Sequence, residues 1–169
     1  ELPRRLGFGA EFSSSEGLKL SGYWLHRNLL GGAERLRFDG EIAGIGGETG
    51  GEDYLLAVSF ERPATFTPDT TLTLDASAEA LSEPDYDQTS FEFGGGLSHI
   101  FSDTLSGSAT ITYRQAEFED ASGTRDYRTI TLPVSLAWDR RNDELNPTGG
   151  FYVEGEARPF FGLEETGTG

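Results

Sequence analysis

His26 and His99 are the only side chains in this 169-residue chain with an unperturbed pKa near neutrality. Neither belongs to a His-x-x-x-His pair or stands beside an Asp/Glu cage. A Ser-His-Asp device or a metal site needs a nucleophile or a ligand set to converge on one of them, and no motif brings one there. The absence of cysteine removes thiolate nucleophiles, thiolate metal sites and disulfides. Gly94, Gly95 and Gly96 do not form a phosphate loop, because no helix start follows them. They are read as room for a neighbouring side chain or a bend in a wall. The acidic runs at 44–53, 79–87 and 117–126 lack the ligand positions of an EF-hand, so they are read as solvated, self-repelling loops. No enzyme activity, metal or cofactor is expected. The densest charge cluster, Asp139, Arg141 and Asp143, precedes Pro147 and Gly150 and reads as charges pairing with one another at a strand end, beside a turn that the proline and glycine set.

Thirteen basic against twenty-nine acidic residues leave a net charge of −16, which disfavours a nucleic-acid partner. Only 36% of residues are hydrophobic, and no run of roughly 18 apolar residues exists, which excludes a helical membrane bundle. The aromatic content of 12%, evenly spread, argues against disorder. One structural unit over 1–169 fits the length. With no methionine even at position 1 and no signal peptide, the chain reads as part of a longer or processed protein.

What must position these residues is strand, because apolar residues recur at every second place in nine segments. The first sets Leu6, Phe8, Ala10 and Phe12 against Gly7, Gly9 and Glu11. The third sets Leu36, Phe38, Gly40 and Ile42 against Arg35, Arg37, Asp39 and Glu41, four charged residues in succession on one face. The eighth runs Ile130, Leu132, Val134, Leu136, Trp138. A soluble sandwich turns a Lys- and Glu-rich face to bulk water, whereas here the polar face is rich in Ser, Thr and Gly with charges of both signs. Segments of about 9–11 residues match a bilayer crossing, so the fold class expected is an all-β, antiparallel transmembrane β-barrel. Connections after odd-numbered segments are mostly polar, Gly-rich or acidic, and those after even-numbered ones are ordered turns. Trp24 and Trp138 fall on the apolar face at the even-turn end, where interface aromatics belong. Placing odd-numbered connections outside the cell puts both tryptophans at the periplasmic interface. Single-chain bacterial barrels close with an even number of strands, so nine imply part of a larger barrel, or eight closed strands and one extra.

Two of the even turns carry a resemblance. The segment with Asp139, Arg141, Asn142, Pro147, Thr148 and Gly150 resembles the Asp-x-Arg-(Asp/Asn)…Pro-Thr-x-Gly turn of the BamA/TamA-type outer-membrane assembly barrels, the bacterial surface antigen family. Arg27, Asn28 and Gly31, in Arg-Asn-Leu-Leu-Gly-Gly-Ala, are similar to that family's Arg-Asn-Leu-Phe-Gly-x-Gly turn. Gly7-x-Gly9 and Arg62-Pro63 fall at matching places. Gly149 stands where the family often has a basic residue, and Gly31-Gly32-Ala33 replaces the usual Gly-x-Gly. The family's POTRA repeats and its later Arg-Gly-Phe loop are not in this sequence.

The resemblance implies the first nine strands of a sixteen-stranded barrel in the bacterial outer membrane. It implies a non-catalytic factor that inserts and folds nascent outer-membrane or surface proteins, with outer-membrane lipid around it and a periplasm-spanning partner reached through POTRA repeats. The client-pairing edge would be Leu6, Gly7, Phe8, Gly9, Ala10, Glu11 and Phe12, where an incompletely paired strand can accept another by β-augmentation. A two-partner secretion pore, a self-contained small structural or adhesive barrel and a barrel fused to an enzyme such as a phospholipase are the alternatives.

Overall fold

The computed structural model describes residues 3–48 and 50–168, with side chains described to 163. The chain runs β1 (Arg4–Ser13), β2 (Gly17–Arg27), β3 (Arg35–Ile45), β4 (Asp53–Arg62), β5 (Thr70–Glu83), β6 (Tyr86–Ser102), β7 (Leu105–Asp120), β8 (Gly123–Thr131), β9 (Val134–Asp139), β10 (Tyr152–Ala157) and β11 (Phe160–Thr168). All eleven belong to one antiparallel sheet, each of β1 to β7 pairing with the next in sequence. Among the described residues the sheet does not close into a barrel: β1 pairs only with β2, and β11 only with β8.

Eleven strands replace the nine expected, and two prolines account for the difference. β8 pairs with the far half of β7 and β9 with its near half, in one unbroken register from Thr112↔Thr131 to Ala109↔Val134. The interruption falls at Leu132-Pro133, where a proline has no N–H to give the ladder. β10 and β11 are split in the same way beside Pro159, directly across from the first break. Ala157↔Val134 and Phe160↔Thr131 keep a single register through the gap. Carbonyls still bridge it, since the amide of Thr110 donates to Pro133 O and that of Leu132 to Pro159 O, both at 2.9 Å. Eleven segments therefore lie along nine lines.

The registers stack side chains into rows. Leu6, Trp24, Phe38, Val58, Ala76, Phe93, Tyr113, Ile130 and Phe161 are successive partners on one face. The neighbouring row on the other face runs Gly7, Tyr23, Asp39, Ala57, Ser77, Glu92, Arg114, Thr129. The apolar row is not packed away: Phe8 is 86% exposed and Leu56 67%, and among the described residues Ala116 is the one buried large or small hydrophobic side chain. A sheet in water could not leave such a face bare, and in lipid it needs no cover.

Strand lengths divide the sheet. β1 to β4 have 10 or 11 residues, one bilayer crossing each, whereas β5, β6 and β7 have 14, 17 and 16. The acidic segments 79–87 and 117–126, expected as loops, are largely strand: β5 and β6 are joined across Glu83↔Tyr86 and β7 and β8 across Asp120↔Gly123. Alternation persists there, but its sense reverses. Thr89, Glu117 and Asp126, beside Ala80, continue the apolar face upward as a polar one. Leu81, Phe118, Tyr86 and Tyr127 stand on the opposite side, with Phe118 5.6 Å from the Tyr127 ring and 6.1 Å from that of Tyr86. The extension therefore has water chemistry outside and apolar contacts within.

Candidate functional site

β1 carries the edge residues expected from sequence. Its backbone bonds to β2 from Arg4↔His26 to Ser13↔Gly17, leaving the other side of the strand without a partner among the described residues. Roughly half of its N–H and C=O groups point to that side, because antiparallel strands alternate bonded and outward positions. In hydrocarbon each unsatisfied group costs several kcal/mol, so an open edge there is a strong acceptor for another strand. Leu6, Phe8, Ala10 and Phe12 are exposed on the apolar face. Gly7 and Gly9 face the other way, and a Cβ at Gly9 would approach Ser21 Oγ at 2.7 Å.

The connection between β2 and β3, residues 28–34, is a built turn. Asn28 and Ala33 both take positive φ, 62° each, and Gly31 takes 92°. Asn28 Oδ1 accepts the Ala33 amide at 2.9 Å, and the Asn28 amide donates to Glu34 O at 2.6 Å. Inside the turn lies Glu34, 1% exposed, whose carboxylate accepts the amides of Gly32 at 3.1 Å and Leu30 at 3.2 Å. Arg62 of the next even turn reaches it at 3.9 Å. Burial pushes the Glu34 carboxyl up, but hydrogen bonds from backbone amides and the nearby Arg62 outweigh it, and the group sits below its ordinary value. Glu34 escaped the sequence reading. Its only signal was a carboxylate just after Gly-Gly-Ala, where bare amides converge.

The late turn is organised as its motif suggests, with one correction. Arg141 grips Asp139 through Nη2 at 2.6 Å and Nε at 3.0 Å, donates Nη1 to Glu144 O at 3.2 Å, and lies 5.0 Å from the Tyr152 ring. Asp143, expected as another partner of the cation, instead accepts the amides of Leu145 and Asn146 at 2.8 and 2.9 Å. Those amides draw its pKa down. Asn142 spans the turn, its Oδ1 accepting the amides of Thr148 and Gly149 at 3.0 Å and its Nδ2 donating to Thr148 Oγ1 at 2.8 Å. Gly150 has φ 99°, and a Cβ there would overlap the Arg140 carbonyl. Pro147 lies inside the loop that Asn142 closes.

Both histidines lie on the apolar face near the even turns, His26 with its ring 5.6 Å from Trp24 and His99 4.8 Å from Phe101. His99 Nδ1 shares a hydrogen bond with Thr70 Oγ1 at 2.7 Å. They are far apart in the strand order, and among the described residues no three His, Asp or Glu side chains gather as a metal cage. Trp24 and Trp138 also stand on the apolar face, Trp138 against Phe151 at 5.0 Å and both near the even-turn ends of their strands. The triple glycine lies within β6, where a Cβ at Gly95 would meet Leu74 at 2.8 Å and one at Gly94 the Ile111 carbonyl at 2.9 Å. It makes room for neighbours rather than for a phosphate.

An antiparallel meander with a bare apolar face and a charged opposite face defines a wall of an outer-membrane-type β-barrel. The sequence matches the model of the Omp85 superfamily domain over residues 28–166, and the chain belongs to that superfamily. Among solved structures, its fold is similar to BamA from Haemophilus ducreyi lacking POTRA domains 1-3, with a TM-score of 0.66 at 14% identity. The match covers 94% of this chain and 34% of that one, so the chain spans about a third of its structural relative. No curated protein matches it.

Proposed function

We propose that the chain forms the first nine lines of a sixteen-stranded barrel that inserts and folds other outer-membrane or surface proteins, with β1 as the strand onto which clients are added. The observation that carries this reading is the open edge of β1 beside an exposed apolar face. A client strand paired to β1 gains backbone hydrogen bonds where lipid offers none, so assembly needs no bond-making chemistry. The two histidines, facing the apolar side, fit a non-catalytic role. Odd-numbered connections lie outside the cell in this reading, which the acidic tips beyond β5 to β8 support, and the compact turns at 28–34 and 140–151 lie toward the periplasm. POTRA repeats elsewhere in the protein would supply the periplasm-spanning partner.

Cysteines at Gly9 or Glu11 in the full-length protein test it. Crosslinks to a nascent client barrel are expected there and not along residues 71–79 of β5, an interior strand. Equal crosslinking at both sites sinks the edge assignment. A two-partner secretion pore is the second reading, favoured by the ion pairs on the polar face, Lys19 to Glu41 and Arg37 to Asp39, both at 2.6 Å. Such a pore would instead crosslink a soluble cargo through polar-face positions such as Ser77.

A further inference from the structure

β1 and β2 hold each other through two aromatic rings laid over glycines at adjacent register positions, one on each face. Gly7 faces Tyr23 and Phe8 faces Gly22. On the apolar face, the Phe8 ring lies where a Cβ at Gly22 would sit within 3.2 Å of it. On the polar face, the Tyr23 ring covers Gly7 so closely that a Cβ there would overlap it. Covering the backbone of a glycine with a cross-strand aromatic restores the packing that the missing side chain forfeits. Between Arg4 and Phe12, Gly7 is accordingly the one position of β1 that is not exposed.

The two rings differ in their support. Phe8 is itself 86% exposed on the edge strand and has only β2 behind it. Tyr23 is backed by the wall: the Arg37 guanidinium lies 4.4 Å from its ring centroid. Arg37 is in turn fixed by Asp39, with Nη2 to Oδ1 at 2.6 Å and Nε to Oδ2 at 2.7 Å. A two-point carboxylate grip orients the plane of a guanidinium, and an oriented guanidinium holds an aromatic ring in place. The chain of contacts runs Asp39, Arg37, Tyr23, Gly7, from β3 across β2 to the edge.

We infer that Tyr23 is a positioning residue for the edge strand. Its ring, held by Arg37 and Asp39, clasps Gly7 and keeps β1 seated in register while the opposite side of β1 is open. The inference rests on the reading of β1 as the client-pairing edge and adds what governs its attachment. The absence of a side chain at Gly7 is then a requirement of the clasp: alanine there would displace the ring and act like loss of the ring itself.

The test uses the full-length protein folded in vesicles of outer-membrane phospholipid, with hydrogen–deuterium exchange read in residues 4–13 and, as reference, 54–62. Tyr23→Ala, Gly7→Ala and Arg37→Gln are each expected to speed exchange in 4–13 about tenfold and leave 54–62 unchanged. Tyr23→Phe keeps the ring and should match the unsubstituted protein. Gly7→Ala added to Tyr23→Ala should bring no further increase, because both remove one contact. Arg37→Gln leaves β1 and β2 intact and serves if a substitution in either prevents folding. Unchanged exchange in folded Tyr23→Ala or Arg37→Gln, or full additivity in the double variant, overturns the clasp. Client crosslinking at Gly9→Cys is read in parallel: its absence with Tyr23 in place defeats the edge reading, a result separate from failure of the clasp.

Discussion

β1 to β4 form a short wall of 10 and 11 residues per strand, and β5 to β7 a tall one of 14, 17 and 16, longer by roughly 10–20 Å at strand rise. Both begin with the same pleat, and the apolar row from Leu6 to Phe161 crosses them without a break. They differ above Ala78↔Phe91, the last apolar outer pair of β5 and β6. In the short wall β1, β2 and β3 also run on past that row, and their outer face stays apolar with Ala10, Phe12, Leu18, Leu20 and Ile42. In the tall wall the polar and apolar faces exchange places past it, with Thr89, Glu117 and Asp126 outside and Leu81 and Phe118 within. Period two is a property of the backbone, but which face is apolar is set by the solvent on each side. The reversal therefore marks where lipid gives way to water on the outside.

The sharpest way to break that comparison is to place a charge on the same face at both levels. Leu56→Arg puts a cation on the bare apolar face of β4, where a mid-bilayer charge costs about 2–4 kcal/mol. Thr89→Arg sits on the outer face of the tall extension and should cost about 0–1 kcal/mol. Equilibrium unfolding in vesicles measures both, and equal costs would mean that the extension also lies in lipid. Next in size is Phe118→Ala. It removes the ring between Tyr86 and Tyr127 and should cost about 1–2 kcal/mol, with amide exchange faster in 81–88 and 116–127 but not in β2 or β3. Loss spread evenly over the sheet would deny the extension a packing unit of its own.

The same contrast explains what could be read from sequence. The short wall was legible because its alternation, length and solvent agree, as in Leu36, Phe38, Gly40 and Ile42 against Arg35, Arg37, Asp39 and Glu41. The tall extension reads as loops in sequence because Glu79, Glu83, Asp85, Asp87, Glu117, Glu119 and Asp120 look like a solvated run, and inward-facing Leu81 and Phe118 are too sparse to show reversed alternation. The late turn was visible in its motif, but which carboxylate Arg141 holds depends on backbone geometry, and Asp143 is taken up by amides two and three residues on. Glu34 was hidden because burial of a carboxylate by its own turn leaves no periodic trace.

At the turn end the comparison becomes one of pH. Glu34 has a folded-state pKa below its unfolded one, so it stabilises the 28–34 turn above the unfolded value of about 4.3 and loses that contribution as pH falls through the folded value. Amide exchange in 28–34 should quicken on that acid limb, and Glu34→Gln should abolish the step. A step that survives in Glu34→Gln would assign it to another carboxylate.

The late turn and the histidines give the smallest pair of expected effects, and they separate a structural turn from a chemical site. Asp139 and Arg141 are each about a quarter exposed, at 26% and 27%, so their pair is screened less than a surface one. Arg141→Ala strips Asp139 of its side-chain donors and unseats the cation over Tyr152. It should lower both client assembly and the temperature at which folded gel mobility is lost. His99→Ala removes one hydrogen bond to Thr70, a net loss of about 1 kcal/mol, and His26→Ala one aromatic contact to Trp24. Both face the apolar side, where neither can touch a polypeptide on the charged face, so assembly should persist almost unchanged in either variant. A folded barrel that loses assembly with either histidine would show that chemistry, not strand pairing, drives the process.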